Sequence, residues 1–320
     1  MPFRYRLLHP IEGASGEGVS TNFGIHSSLG RVRGNQEDAA LVAEISEDAR
    51  RRKTRLRGAA PERALLAVFD GAGGYSQGDI ASGAAVSHFS ENAERLLSLP
   101  QDAEHASELE RLVHSASEQV VGAVTDPKAC TTAAAALVRG NSLHVAHAGD
   151  SRVYLMRNGR VEALTEDHLT SGQTPQGVQP LLTSALGNRV HLKVSVQQGV
   201  ELKPGDAVVV VTDGVTKYVH EAGLAELIGG NRNAQAVAEA IVARADRRGG
   251  SDNSSAVVYF HGRSPKKTRA ARQPKFDPRQ LSREHRSIVS EPAPWYLIPF
   301  ADRVSYINGR KEIRWRWRRR

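Results

Sequence analysis

Acidic residues that could act as metal ligands occur at the ends of apolar runs, each beside Gly or Asn. The five placements are Glu37-Asp38 after Arg33-Gly34-Asn35-Gln36, Asp70-Gly71 after LLAVF, Asp150 after LHVAHAG, Asp213-Gly214 after VVVVT, and Asp252-Asn253 before SSAVVYF. Strand ends hold side chains rigidly, and a neighbouring Gly lets the backbone approach a ligand closely. Each Asp-Gly pair is equally well an ordinary turn, and spacing alone does not bring the five together in space.

Carboxylates gathered from several strand ends repel one another unless cations lie between them. Oxygen ligands without a His or Cys pattern suit Mg²⁺ or Mn²⁺ better than Zn²⁺. If the five placements meet, they therefore indicate a divalent-metal site. His144 and His147 are not expected to form a further metal pair, because residues three apart on a strand point to opposite faces.

The apolar patterns between these acids predict alternating strands and helices. The predicted strands are Ala64–Phe69, Ala133–Val138, Leu143–His147, Arg152–Met156, Ala207–Thr212 and Ser255–Phe260. The predicted helices are Gly78–Leu97, Ala106–Val124, Glu221–Leu227 and Ala234–Ala245. Asn158-Gly159 is typical of a hairpin turn. Hairpins in the middle and paired helices elsewhere favour an α+β fold over a parallel doubly wound sheet.

Composition restricts the class of protein. The chain has 320 residues, of which 40% are hydrophobic, enough for a substantial buried core. Cys130 is the one cysteine, which excludes an internal disulfide and a cysteine-based zinc site. The N-terminus lacks an apolar run of signal-peptide length, and no run approaches the roughly 18 apolar residues of a membrane span. We therefore predict a cytoplasmic protein.

Charge divides the sequence unevenly. Residues 262–320 carry 17 basic and 5 acidic side chains, whereas residues 1–261 carry 26 and 30. The basic pI is thus a property of the tail. We predict an N-terminal extension at 1–20, a folded domain at 21–261 with an Arg-rich solvated insertion at 46–63, and a basic, largely disordered tail at 262–320.

A set of short motifs in fixed order resembles the type 2C metal-dependent protein phosphatases of bacteria. The motifs are RGNQED at 33–38, VFDGAGG at 68–74, Thr131-Thr132, GDSRVY at 149–154, LTEDH at 164–168, ALG at 185–187, TDG at 212–214 and SDN at 251–253. Any one of them is weak, but the ordered set is specific and covers about Thr21 to Phe260. The resemblance implies two packed antiparallel sheets flanked by helices, with a metal cluster in a cleft at one end.

The resemblance also implies a role for each matching residue. Asp70 resembles the carboxylate that bridges two metals, and the Gly71 carbonyl resembles a ligand of the first. The ligands of the second metal would be Glu37, Asp213 and Asp252. Asp38 would orient metal-bound water or contact the first metal, and Asp150 would bind a third, weaker one. Arg33 resembles the side chain that binds the substrate phosphate.

The implied activity is hydrolysis of phosphoserine and phosphothreonine in proteins by a metal-bound hydroxide. Two tight Mn²⁺ or Mg²⁺ ions, with a third weaker one, would lower the pKa of a shared water, which attacks phosphorus in line. The implied substrates are phosphoproteins, and the implied physiological counterpart is a bacterial Ser/Thr kinase. We expect a monomer.

Three features depart from the family pattern. Ala72 stands where many members have a His proposed to protonate the leaving alkoxide. Cys130 replaces the Gly that usually precedes the Thr pair, and we interpret it as a small core residue. Between Leu186 and Asp213 the sequence leaves room only for a short substrate flap.

Two other functions have some support in the sequence. Residues 74–78 match the GxSxG pattern of a hydrolase nucleophile elbow, but glycines make this loop wide and no triad Asp and His follow in clear contexts. A catalytically weak module, which binds nucleic acid or anionic membranes through the basic tail, is the alternative function. Aromatic residues among arginines, as in the terminal RWRWRRR, can stack on bases or lie at anionic lipid surfaces.

Overall fold

The computed structural model of the chain describes residues 3–10, 13–15, 22–45, 63–72, 77–100, 103–174, 177–188, 192–231, 233–262, 298–307 and 310–318. The predicted insertion lies outside these residues except for Arg63, which begins a strand. Contacts divide the chain into two units, Met1–Lys266 and Lys267–Arg320. The first unit carries every predicted site residue.

The described strands of the first unit, in chain order, are β1 Phe3–His9, β2 Gly13–Ser15, β3 Phe23–Ser28, β4 Asp38–Ile45, β5 Arg63–Ala72, β6 Cys130–Thr131, β7 Ala133–Arg139, β8 Ser142–Ala148, β9 Arg152–Arg157, β10 Arg160–Ala163, β11 Leu169–Thr174, β12 Gly177–Leu182, β13 Ser195–Glu201, β14 Ala207–Val211 and β15 Ser254–Phe260. The helices are α1 Gly78–Ser98, α2 His105–Ala123, α3 Asp213–Thr216, α4 Glu221–Gly230 and α5 Ala234–Arg248. All ten predicted strands and helices are present, with ends shifted by a few residues.

Two antiparallel sheets form the centre of the fold. The first has the order β13-β8-β7-β5-β4-β1-β2, with β6 also paired to β5. The second has the order β10-β9-β14-β15-β3. The predicted turn at Asn158-Gly159 joins β9 and β10, whose residues pair from Arg157↔Arg160 onwards.

Alternate residues of each central strand face different cores. In β5, Leu66 and Val68 join Val210 and Val257 in the core between the sheets. Residues on the other face of β5 join α1 and α2 in a second core, and α4 and α5 cover the outer face of the second sheet. Because both faces of the central strands are buried, the sequences of these strands are continuous apolar runs. The four layers confirm the predicted α+β sandwich.

One detail of the first unit differs from the sequence interpretation. The predicted N-terminal extension contains β1, which pairs with β4 along its length, from Phe3↔Ile45 to Leu8↔Ala40. Between Leu186 and Asp213, where the sequence leaves room only for a short flap, the described residues include β13 and β14, which belong to the two main sheets. The separate hairpin is β11–β12, which lies before Leu186.

The second unit contains a two-stranded antiparallel hairpin, β16 Ile298–Ile307 and β17 Arg310–Arg318. These two segments therefore differ from the predicted disordered tail. Residues 313–318 alternate apolar with basic residues in IRWRWR, a period typical of strands, which the abundance of Arg concealed. Residues 263–297 lie outside the described part, so disorder there stays a prediction.

None of the helices in the described residues is both long enough and apolar enough to cross a membrane.

We expect Phe89→Ala to destabilise the fold by about 3–5 kcal/mol, because it leaves a cavity where α1 meets the first sheet. Phe89 is fully buried, and its ring meets that of Phe69 edge to face at 4.9 Å between centroids. Urea unfolding of the parent and variant measures the change. Val178→Ala, at a residue 67% exposed, is the control and should shift the free energy of unfolding by less than about 0.5 kcal/mol. Equal effects of the two substitutions would contradict the described core.

Candidate metal and phosphate site

Antiparallel pairing brings the acidic residues to one end of the two sheets. Asp38 is the first residue of β4 and lies directly opposite Asp70 near the end of β5. In the second sheet β14 ends just before Asp213, and its antiparallel neighbour β15 begins just after Asp252. Asp150 lies in the turn between β8 and β9. In an antiparallel pair the end of one strand lies beside the start of the next, so these acids share one edge.

Asp38 is held by hydroxyl groups from the opposite sheet. Its Oδ2 accepts hydrogen bonds from Thr212 Oγ1 at 2.8 Å and from Ser255 Oγ at 2.7 Å. The side chain is 2% exposed, and Oδ1 has no hydrogen-bond partner within the described residues. Burial raises the pKa of Asp38 to about 7, opposed by the two hydroxyls and reinforced by Asp213. The free oxygen is thus a buried acceptor directed into an acidic site.

The backbone of Asp70 is fixed by the Thr131-Thr132 pair. Thr131 Oγ1 and the Thr132 N–H both donate to the Asp70 carbonyl, at 3.0 and 2.9 Å. The Asp70 N–H donates to Thr132 Oγ1 at 3.0 Å, and that hydroxyl also bonds to Ser151 Oγ at 2.7 Å. The Thr131-Thr132 pair therefore connects the position of Asp70 to that of the turn that carries Asp150.

The glycines that follow the acids make room for neighbouring backbone. A Cβ on Gly71 would lie 2.1 Å from the Gly78 carbonyl oxygen, and one on Gly214 would lie 1.8 Å from that of Asn253. Both distances are shorter than any real contact. A Gly beside an acid is expected to let the backbone approach a ligand, whereas the described neighbours of Gly71 and Gly214 are other segments of the chain.

Asp213 and Asp252 share one lysine. Lys217 Nζ lies 2.8 Å from Asp213 Oδ2 and 2.9 Å from Asp252 Oδ2. Arg33 adds a forked pair to Asp252, with Nε 2.7 Å from Oδ1 and Nη2 3.0 Å from Oδ2. Although burial opposes it, these two cations hold the pKa of Asp252 below its ordinary value. Asp213 Oδ1 is buried and has no partner among the described residues.

Glu37 and Asp150 complete the acidic set. Burial raises the pKa of Glu37 above its ordinary value, and the nearby charge of Arg33 opposes this rise. Burial and the Asp213 charge raise the pKa of Asp150 to about 6. The Glu37 carbonyl accepts from the Gly71 N–H at 3.1 Å, so the two motifs are connected through their backbones.

The structure therefore brings all eight predicted site residues to one region. Burial and the charges of four other acids, Asp38, Asp213, Asp150 and Asp252, raise the pKa of Asp70 well above its ordinary value. An oxygen-rich donor set with two buried, unpartnered carboxylate oxygens fits Mg²⁺ or Mn²⁺ in kind. Nevertheless, in the part of the chain that is described, no three His, Cys, Asp or Glu side chains stand close enough to hold one ion.

Sequence reasoning missed several residues that support the site. Asn253 donates to the carbonyls of Leu29 and Asn35 and accepts from the Glu37 N–H at 2.8 Å. It thereby ties the segment that carries Arg33 to the segment that carries Asp252. This Asn is the last residue of the SDN motif, from which only the Asp was predicted to have a role. The lysine four residues after Asp213 was not singled out.

Two of the departures pair with each other, and the two histidines of β8 contact other histidines. Ala72 pairs with Cys130 across β5 and β6, so no protic side chain is present at position 72. His144 and His147 contact different partners, His105 and His168 respectively, as expected for residues on opposite strand faces. Ring nitrogen Nδ1 of His168 accepts the Gly149 N–H at 3.3 Å, so this His supports the backbone beside Asp150.

A sandwich of two antiparallel sheets with an acidic edge is the arrangement that the resemblance to the type 2C phosphatases implies, and comparisons with known proteins agree with it. The sequence model of the protein phosphatase 2C family matches residues 26–174. Serine/threonine phosphatase stp of Listeria innocua is 27% identical over 246 residues, which cover 72% of this chain and 91% of the relative.

Two solved structures share the fold. PppA, a key regulatory component of T6SS in Pseudomonas aeruginosa, matches with a TM-score of 0.55 and 25% identity over 74% of this chain and 96% of its own. The catalytic domain of PstP in complex with two manganese ions matches with a TM-score of 0.56 and 23% identity, over 80% of this chain and 98% of its own. At that identity the PstP match shows the fold alone.

These matches confirm the resemblance to the type 2C metal-dependent protein phosphatases, and the chain is a protein-serine/threonine phosphatase. The alternative, a weak module that acts through its basic tail, receives no support from them.

The raised pKa of Asp38 predicts how the stability of the metal-free protein depends on pH. Between about pH 4 and pH 7 the folded state binds a proton at Asp38 that the unfolded chain releases. The free energy of unfolding contributed by Asp38 therefore falls as pH rises through this range, by about 1.4 kcal/mol for each unit by which the pKa is raised. We expect Asp38→Asn to abolish that contribution.

Urea unfolding in EDTA at about pH 5 and pH 8 measures the effect. The parent-minus-variant difference isolates Asp38 from groups with the opposite slope, such as His168, whose pKa burial lowers to about 4. Glu91→Gln, on the exposed side of α1, should keep the pH dependence of the parent. If Asp38→Asn keeps it too, the buried Asp38 is not the source.

Proposed function

We propose that the eight residues at the acidic edge form the active site: Glu37, Asp70, Gly71, Asp213 and Asp252 hold two Mn²⁺ or Mg²⁺ ions, Asp150 contributes to a third weaker site, and Arg33 and Asp38 act on substrate and water. The carrying observation is the convergence of six buried or half-buried carboxylates, several with raised pKa values. Such a charge density is stable only with cations nearby. The catalytic domain of PstP, which shares the fold, is in complex with two manganese ions.

The carboxylates and the Gly71 carbonyl hold the ions on rigid strand ends. When bound, the ions activate a water molecule for in-line attack on phosphorus and offset charge on the phosphoryl oxygens. The Thr131 and Thr132 contacts keep Asp70 in place during this work, since three of its backbone hydrogen bonds come from that pair.

Arg33 binds the phosphoryl group. Its guanidinium is half exposed, at 50%, and already forms a forked contact with a carboxylate, the geometry that suits two phosphate oxygens. Turning from Asp252 to the substrate exchanges one forked, charged contact for another. The side chain thus positions the ester without a covalent intermediate.

Asp38 orients the attacking water. Its Oδ2 is occupied by the hydroxyls of Thr212 and Ser255, so Oδ1 is the oxygen left to accept a proton from water. Ala72 supplies no acid for the leaving alkoxide, which leaves that proton to solvent or to water in the site. Slow expulsion of poor leaving groups is the expected consequence.

The proposed function also includes substrates and a kinase counterpart. Phosphoserine and phosphothreonine proteins are the substrates, and the counterpart is a Ser/Thr kinase of the same cell, supported by the bacterial relatives named as serine/threonine phosphatases. The cytoplasmic location and the monomeric state stay predictions from the sequence.

Chelation and loss of Asp70 test the site directly. EDTA should abolish hydrolysis of p-nitrophenyl phosphate, and Mn²⁺ or Mg²⁺ should restore it. Asp70→Asn should lower kcat by more than about 100-fold and weaken Mn²⁺ binding, because the Asp70 carboxylate interacts with four other acids of the site. Calorimetry measures the binding. The matched control is Asp126→Asn, in the loop after α2, which should behave as the parent. Undiminished activity after exhaustive chelation would contradict the proposed metal site.

Arg33→Ala should raise KM, and the inhibition constant of inorganic phosphate, by about tenfold or more, because a charge-assisted hydrogen bond contributes roughly 1.5–3 kcal/mol. Arg31→Ala removes an equal charge from the same exposed segment and should change both constants little. Competition kinetics with inorganic phosphate give the comparison. Equal phosphate inhibition in the Arg33 variant and the parent would place Arg33 outside the substrate site.

A further inference from the structure

Lys217 is a cation built into the acidic edge. It follows the four-residue helix α3, and its ammonium reaches back to Asp213 and across to Asp252, at 2.8 and 2.9 Å. Although burial disfavours the ammonium, the charges of Asp213 and Asp252 raise the pKa of Lys217. The same ammonium lowers the pKa of Asp150. Its positive charge is therefore shared among three acids of the site.

We propose that Lys217 is an internal counter-ion that holds Asp213 and Asp252 together in the metal-free protein and competes with divalent metal for them. The inference rests on the proposed function, because it takes both carboxylates as metal ligands. It also accounts for an observation that the ligand assignment alone leaves open. The acids converge in the described structure without standing close enough to enclose an ion, and the ammonium occupies one oxygen of each of the two.

Competition follows from the oxygens that remain. Asp213 Oδ1 is buried and unpartnered within the described residues, but both oxygens of Asp252 are engaged, by Arg33 at Oδ1 and Oδ2 and by Lys217 at Oδ2. An ion bound to Asp252 must displace at least one of these cations. The lost contacts weaken metal binding by their own free energy, as required by linkage between two ligands of one site. In return, Lys217 lowers the repulsion between the acids before metal arrives.

Neutralising this lysine should have two opposite effects. Lys217→Met keeps the length of the side chain and removes the charge. We expect the Kd for Mn²⁺ to fall by about tenfold, the effect of losing one competing charged contact. We also expect a lower Tm in EDTA and a larger rise in Tm on adding Mn²⁺. Lys217→Arg retains the charge and should keep the Kd close to that of the parent.

The experiment is Mn²⁺ calorimetry and thermal unfolding of the full chain, with Lys128→Met as a control at an exposed lysine in the loop after α2. Asp70→Asn is run alongside to separate the two ideas. If Asp70→Asn binds Mn²⁺ as the parent does, the proposed site itself is wrong. If Asp70→Asn loses binding while Lys217→Met binds no more tightly than Lys128→Met, the site stands and the competition is overturned. Tighter binding by Lys217→Met alone supports it.

Discussion

Repulsion among carboxylates is the constraint around which this end of the molecule is arranged. Five acidic placements converge where two antiparallel sheets end, and burial makes their charges more costly. Groups other than the acids hold them in place. Hydroxyl groups donate to Asp38, the Thr pair bonds to the main chain of Asp70, and Asn253 joins two loops. A like-charged cluster can persist in a folded protein only if such neighbours supply the free energy that the charges oppose.

The cations of the chain itself complete this balance. Arg33 and Lys217 both contact Asp252, so the side chain that we assign to the substrate phosphate and the one that we assign to metal competition meet at one carboxylate. Events at this carboxylate are therefore coupled, because an ion that binds Asp252 displaces at least one of the two basic groups. The coupling arises from geometry alone and requires no movement of the strands.

Much of this architecture could be predicted from the sequence because the patterns were local. Apolar runs such as LLAVF and AVVVVT mark strands buried on both faces, and the acids at their ends are visible in the chain. Their convergence could not be derived from spacing; it depends on antiparallel pairing such as Asp38↔Asp70, which the ordered family motifs supplied. Contacts between distant segments left no local signal. The bond between Glu37 and Asn253 spans 216 positions, and Lys217 resembles any surface lysine until β14 and β15 are placed side by side. The β1 strand was missed because its apolar residues alternate with Arg and because its partner β4 follows only after two other strands.

The pairing of β1 with β4 has a consequence for how the chain tolerates shortening. Every residue of β4 is buried, and its backbone groups on one side are satisfied by β1. A chain that began at residue 21 would expose that row of N–H and C=O groups along a strongly apolar strand, the kind of open edge at which proteins add strands from other copies. Self-association, and not simple loss of a few contacts, is thus the hazard of removing the N-terminal residues.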